Sequence, residues 1–570
     1  MKETYEVIGR SVPKKDGINK VLGHAQFLDD LELPGLLHAK LLRSRYAHAR
    51  ILNVDTSAAE TIRGVRAVIT AWDVPVNVSG VLLKDQPILA SDRVRYLGDP
   101  IAAVAADTLE QAEEAVESIR VDYEELPAVF DAEEAMKLDA VRVHDGPNVC
   151  SHRKIRLGDV EKGFRESDII VEDAFSTQKI EQCPLEPQGA MATVDVEGKL
   201  TVWSPVQSIP MVLNELARVL QRPTSKIRLM QTAVGGGFGA RIELALESYA
   251  ALLALKTRRP VKILRTREDE FTASSIRHSY RIDLKSGVKN DGRVTAREVR
   301  MVADTGAYMS FGDMQLTKAA IHARGPYNIP NVKVDGYLVY TNNTVAGAMR
   351  GIGVVQAIAA EEAHMDHIAR RLETDPIELR LKNALKAGDI TATGQILHSV
   401  GLTETILNTA SKAGWRTPTQ QPLTFDAGSR IRYGRGVASM QYPIGATAVP
   451  NPSSAFLKVS GDGSVTVVSG ALDLGQGVST VLSQIVAEEL GVSVDRVTVV
   501  SGNSDIVPYD TVTGASRTTY TAGNAVRLAA KKVKEILFNI AAQKLSVSPE
   551  ALEARGGVIQ VKHAPQKYVT

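Results

Sequence analysis

At 570 residues the chain is too long for one hydrophobic core, and roughly two to four domains are expected. Lys plus Arg (67) balances Asp plus Glu (66), which excludes a global field that recruits nucleic acid or an anionic membrane. Two cysteines, Cys150 and Cys183, exclude a disulfide framework and a four-cysteine iron–sulfur or zinc site within these residues, and the absence of an apolar signal core or spanning stretch makes a cytoplasmic location the expectation.

In chain order, residues 1–145 read as a first mixed unit. Its Ile101–Ala105 run predicts a buried strand, and Asp107-Thr108-Leu109-Glu110 predicts a capping box that opens a helix with Leu109, Ala112, Val116 and Ile119 on one face. Residues 150–415 form a second unit. The uncharged, turn-rich Thr417–Pro422 stretch reads as a linker, and residues 430–570 form a third unit with a helix over Ala529–Leu545.

The second and third units carry the same pattern. Glu197–Trp203, then Gln207, then Val212, Leu213 and Leu216, then Ile227–Met230 and Val234–Gly239 predict a hairpin with a glycine turn, a loop, an amphipathic helix and a strand. Asp462–Val468, Gly475-Gln476-Gly477, Val481, Leu482, Ile485, Val497–Val500 and Gly514-Ala515-Ser516-Arg517 repeat it. A duplicated unit that points polar loops the same way is suited to clamping one elongated ligand. Gly235-Gly236-Gly237-Phe238-Gly239 sits between a strand and a helix predicted over 242–256, so its amides are expected to converge on a phosphate at a helix N-terminus. No Walker lysine follows and the spacing is not the dinucleotide fingerprint, which argues against ATP and NAD. The plain alternative is that these glycines only turn the chain.

Five motifs in order resemble the molybdopterin-binding large subunits of the xanthine dehydrogenase and aldehyde oxidase family. They are Arg43–Ile51 with Tyr96–Pro100, Val234–Gly239, Ala348–Gly353, Gly475–Gly477, and Gly514–Arg517 with Gly523-Asn524-Ala525. The resemblance covers nearly the whole chain. It implies a mixed α+β fold: an a/b hammerhead-like domain followed by two pseudo-repeated molybdopterin-binding domains. It also implies a molybdenum cofactor held by a pyranopterin dithiolene, in the cytosine dinucleotide form common in bacterial members. Gln207 matches the glutamine beside a metal oxo group. Gly236, Gly237, Phe238 and Gly239 match the loop next to the metal, and Arg350 matches the arginine along the pterin. Gly475, Gln476 and Gly477, with Ala515, Ser516 and Arg517, match a second cradle for pterin and phosphate. Arg43 and His48 are expected to be scaffold.

The sequence also departs from the family. The general base of that family is a glutamate in a Gly-Glu-Pro-like segment, which has no counterpart here, since Glu186-Pro187 precedes the first hairpin. The second molybdopterin domain is therefore expected to be incomplete, with the base supplied by a second molybdopterin subunit. Glutamate, arginine and phenylalanine positions of purine-oxidising relatives fall at Ile242, Lys318 and Ile352, which argues against xanthine as substrate; a solvated surface lysine is the alternative for Lys318. Gln182 stands where many relatives have a histidine. The implied activity is hydroxylation of an electron-poor carbon, in an N-heteroaromatic or an aldehyde, with oxygen from water. Electrons are expected to leave through 2Fe-2S and FAD partner subunits, because this sequence has neither the cysteines nor a flavin fingerprint. Two alternatives stand beside it: a reductive enzyme acting on an aromatic thioester, and a non-catalytic cofactor-binding or assembly protein.

Overall fold

The computed structural model describes residues 5–415, 430, 434–445 and 450–570; the Thr417–Pro422 linker lies outside them. The chain forms two compact units, each discontinuous in sequence: residues 1–126, 181–274 and 443–570, and residues 127–180 and 275–442.

The first unit is built on a seven-stranded sheet in the order Ile227–Gln231, Leu200–Ser204, Gly189–Val194, Val261–Leu264, Leu37–Arg43, Pro100–Ala106, Val65–Thr70. Pro100–Ala106 is buried along its whole length, as its unbroken small apolar run requires. Val261–Leu264 runs parallel to Leu37–Arg43 and antiparallel to Gly189–Val194, so early and middle parts of the chain share one sheet. The helix after Pro100–Ala106 is Leu109–Ser118, but its cap is one residue later than the pattern suggested. Thr108 accepts from the Gln111 amide, and the Gln111 side chain returns the bond. Asp107 is instead drawn to the guanidinium groups of Arg66 and Arg259.

The repeat is real in three dimensions. Gly189–Val194 and Leu200–Ser204 form a hairpin; helix Ile209–Val219 and a short turn of helix at Thr224–Lys226 return the chain to Ile227–Gln231, parallel to the second strand. Ala455–Val459, Val465–Ser469, helix Val478–Leu490, the turn Val494–Arg496 and strand Val497–Val500 reproduce that order and those pairings. The last strand of the first copy meets the chain just past the last strand of the second. The Gln231 amide donates to the Gly502 carbonyl at 2.7 Å and the Ser504 amide to the Leu229 carbonyl at 3.0 Å. The final long helix is Gly523–Leu545 and starts six residues before the predicted 529, because a wide helical turn at Thr518–Ala522 runs straight into it.

The second unit is a five-stranded sheet in the order Val149–Leu157, Asn331–Tyr340, Val294–Gly306, Ser279–Val288, Ile169–Thr177. Helices Gly312–His322 and Val354–Arg371 cover it, and Val299, Met301, Leu316 and Leu338 lie in its core. No helix among the described residues is long and apolar enough to cross a membrane.

Candidate cofactor site

Gln207 follows the strand Leu200–Ser204 and is 3% exposed. Its Oε1 accepts from the Gly239 amide (3.0 Å) and the Arg241 amide (3.3 Å), and its Nε2 donates to the Thr513 carbonyl (3.1 Å). One side chain thus joins the glycine loop of the first copy to the Gly514–Arg517 segment of the second. The fit is close: a Cβ on Gly237 would lie 2.7 Å from Gln207 Oε1. A primary amide has two N–H donors, so one remains beyond the bond to Thr513.

The glycine loop is held from behind by Glu186 and Arg241, neither of which the motif marks as a partner of the other. Glu186 Oε2 accepts from the Gly235 amide at 2.8 Å and pairs with Arg241 at 3.3 Å, while Arg241 Nε donates to the Gly236 carbonyl at 2.7 Å. Burial raises the Glu186 carboxyl above its ordinary range, against the opposing pull of Arg241. The local sequence gives no hint of this: an Arg two residues past a glycine loop gains meaning only when a distant glutamate folds beside it. The loop does not open a helix, contrary to expectation. The next helix is Glu247–Thr257, and Glu247 at its start is itself buried, bonding the Ala245 amide and Ser204 Oγ. The loop is therefore shaped by Gln207, Glu186 and Arg241 and not by a helix terminus.

In the second cradle the polar side chains are committed locally. The Asp473 carboxylate accepts from the Gly475, Gly477 and Ser479 amides, and Gln476 closes on the Leu474 amide and the Leu472 carbonyl. Arg517 is fully buried; its Nη1 binds both Asp510 oxygens (2.8 and 2.9 Å) and the Val512 carbonyl. What Gln476 and Arg517 contribute here is a rigid backbone. A Cβ on Gly475 would meet nothing within 4 Å, so that side of the loop is open.

The motif loops share one backbone property. Phe238 (φ 53°), Ile352 (φ 25°), Ala515 (φ 51°) and Ser516 (φ 55°) are non-glycine residues in the left-handed region, which costs of order 1 kcal/mol or more each and persists only where surroundings enforce it. Phe238 is nevertheless 45% exposed, and Arg350 is exposed with no side-chain partner among the described residues.

Ile242 is buried and lines a cleft of about 310 Å³ with Met211, Leu244, Glu215 and Arg218. Lys318 is not a solvated lysine. It is 1% exposed on helix Gly312–His322, with Nζ 3.5 Å from Tyr442 Oη and 4.9 Å from that ring's centroid, and burial lowers its pKa to about 8. Ile352 lies in the left-handed turn that follows Arg350. Arg43 pairs with Asp269 and donates to the Gly98 carbonyl, and His48 is buried. Gln182 is buried as well.

Beneath the Arg350 loop, His278 is fully buried, with Nε2 3.3 Å from Thr305 Oγ1. Burial first, then Lys179 and Arg277, lower its pKa to about 3. The unfolded histidine takes up a proton below its ordinary value near 6.5 while the folded one stays neutral. The contribution of His278 to stability is thus full above pH 6.5 and falls by about 1.4 kcal/mol per pH unit as pH drops toward 3. Urea unfolding of the chain between pH 7 and pH 4 should show a slope at least this steep, since burial also lowers His322 and His364, and His278→Gln should reduce it by one proton.

Known protein families match the chain along most of its length. Family models match residues 143–384 and 408–570 as molybdopterin cofactor-binding domains and 22–127 as the aldehyde oxidase and xanthine dehydrogenase a/b hammerhead domain. The chain is 37% identical over 562 residues to a Bacillus subtilis protein described as a probable xanthine dehydrogenase component, covering 98% of this chain and 74% of that protein. It is 41% identical over 415 residues to the nicotinate dehydrogenase large molybdopterin subunit of Eubacterium barkeri, covering 72% of this chain and 98% of that protein. The crystal structure of quinoline 2-oxidoreductase from Pseudomonas putida 86 superposes with a TM-score of 0.92 at 28% identity, over 99% of this chain and 75% of that one. With its hammerhead domain followed by two cofactor-binding domains, the chain belongs to the xanthine dehydrogenase and aldehyde oxidoreductase family of molybdopterin-binding oxidoreductase subunits.

Proposed function

We propose that this chain is the cofactor-binding subunit of a multi-subunit molybdenum hydroxylase that acts on an electron-poor carbon of an N-heteroaromatic or aldehyde substrate. The observation that carries the reading is Gln207, buried between the glycine loop and Thr513 with an amide N–H to spare. It fixes both loops and presents a neutral donor that no proton transfer can switch off. When bound, the molybdenum supplies the redox chemistry that moves oxygen from water to carbon. In the first unit Gly236 to Gly239 would form the loop beside the metal, and the Gly475–Gly477 and Gly514–Arg517 loops would supply backbone shape to the rest of a cytosine dinucleotide; in the second unit Arg350 is the residue that the family resemblance matches to the pterin. The family resemblance assigns Ile242, Lys318 and Ile352 to the substrate, two apolar positions and one positive.

The proton acceptor belongs, in this reading, to a second molybdopterin subunit that carries the family's glutamate, and 2Fe-2S and FAD subunits take the electrons. The nicotinate dehydrogenase relative supports such a division: a protein named as its large molybdopterin subunit is matched over 98% of its length by 72% of this chain. Native purification with subunit and metal analysis tests it. A complex containing molybdenum, iron, flavin and a second molybdopterin polypeptide is expected. A molybdenum-loaded, active preparation of this polypeptide by itself would refute the division of the site.

A further inference from the structure

Most buried arginines of the described residues are matched with carboxylates: Arg241, Arg297, Arg380 and Arg517 each pair with an Asp or Glu. Buried Arg324 lacks such a pair but donates to the Ile329 and Ile390 carbonyls, and Asp389 partly offsets its burial. Arg277 is different. It is 7% exposed, has no ion pair among the described residues, and leaves Nη1 buried without a hydrogen-bond partner. Its one side-chain bond runs from Nη2 to the Arg350 carbonyl, at 2.8 Å. Burial alone acts on the guanidinium and pushes its pKa down, with no carboxylate to offset it.

Two more positive features converge on the same loop. The Arg350 guanidinium is exposed and unpartnered among the described residues. The 18-residue helix Val354–Arg371 begins directly after Gly353, with no side-chain cap and no acidic residue in its first turn, so its positive end is uncompensated. The loop cannot relax away from these groups. The Gly347 amide donates to the Ile276 carbonyl beside Arg277, and Gly351, Ile352 and Gly353 are all left-handed. A Cβ on Gly353 would lie 2.1 Å from the Gln315 carbonyl, which pins the turn against helix Gly312–His322. A buried guanidinium without a counter-charge is costly, and a protein keeps one where an anionic ligand offsets it.

We infer that Arg277, Arg350 and the N-terminus of helix Val354–Arg371 form an oxyanion-binding locus in which Arg277 is the positioning residue: it holds the Arg350 carbonyl, and with it the loop, and supplies buried positive charge. The ligand is a phosphate or carboxylate, brought either by the cofactor or by the substrate. The inference deepens the proposed function, yet part of its test needs no cofactor. Arg277→Met and Arg277→Lys are made in the full chain, with the native partners co-purified. Molybdenum and released nucleotide per chain are measured in the complexes. Binding of inorganic phosphate, pyrophosphate and benzoate is measured by calorimetry on the metal-free chain.

If the cofactor supplies the oxyanion, Arg277→Met is expected to lose at least about tenfold in molybdenum occupancy and in phosphate or pyrophosphate affinity. If the substrate does, molybdenum stays and benzoate affinity falls by a similar factor. Arg277→Lys, which keeps the charge and loses the fork, should recover part of either loss. It also serves as the informative variant should Arg277→Met not fold. Unchanged molybdenum and unchanged affinity for all three probes in a folded variant would overturn the locus. If Arg350→Ala still empties the protein in that case, the functional reading survives and only this inference fails.

Discussion

Arg350→Ala is expected to yield a folded protein that has lost most of its molybdenum. The side chain is exposed and makes no bond to the described residues, so its removal leaves no buried group unsatisfied and the melting temperature of the metal-free chain should not change. Its whole effect is then on ligand binding. Removing a charged hydrogen-bond partner from an anionic ligand costs about 2 to 4 kcal/mol, or roughly 30- to 900-fold in affinity. Metal analysis and thermal melting of one preparation check both halves. Full retention of molybdenum in a folded Arg350→Ala protein would remove the basis for placing the cofactor against this loop.

Gln207 should behave differently, because it serves the fold and the chemistry at once. Gln207→Ala strands the Gly239 and Arg241 amides and the Thr513 carbonyl, so some loss of stability is expected beside a turnover reduction of about 10- to 1000-fold. Gln207→Glu separates the two roles. It keeps an acceptor for both amides and exchanges the donor for a carboxyl oxygen facing the Thr513 carbonyl, so the glycine loop stays held and turnover should be as slow as in Gln207→Ala. Steady-state rates normalised to molybdenum decide it. Unchanged turnover per molybdenum in either variant would show that Gln207 does not act at the metal.

The local patterns along this chain determined its elements and the duplication. Alternation and glycine turns at Glu197-Gly198 and Asp462-Gly463 specified both hairpins, and apolar spacing specified both helices, because those signals rest on neighbours a few residues apart. The motifs were enough for the family, and for the glycine loop, Gln207 and Arg350 as places of interest. What a side chain does there was decided by partners outside the motifs. Glu186, 49 positions before Gly235, and Arg241 set the glycine loop; in the second cradle the partners are near in sequence but outside the motifs, Asp473 filling the loop amides and Asp510 taking the Arg517 guanidinium. Lys318 is the sharpest case. A lysine on a mixed helix face reads as solvated, yet the tertiary structure buries it beside Tyr442, 124 positions along the chain. Helix starts moved for the same reason: whether residues 242–246 continue a helix depends on the site their neighbour Arg241 must reach, a long-range hydrogen-bond requirement that propensity within a short window does not contain.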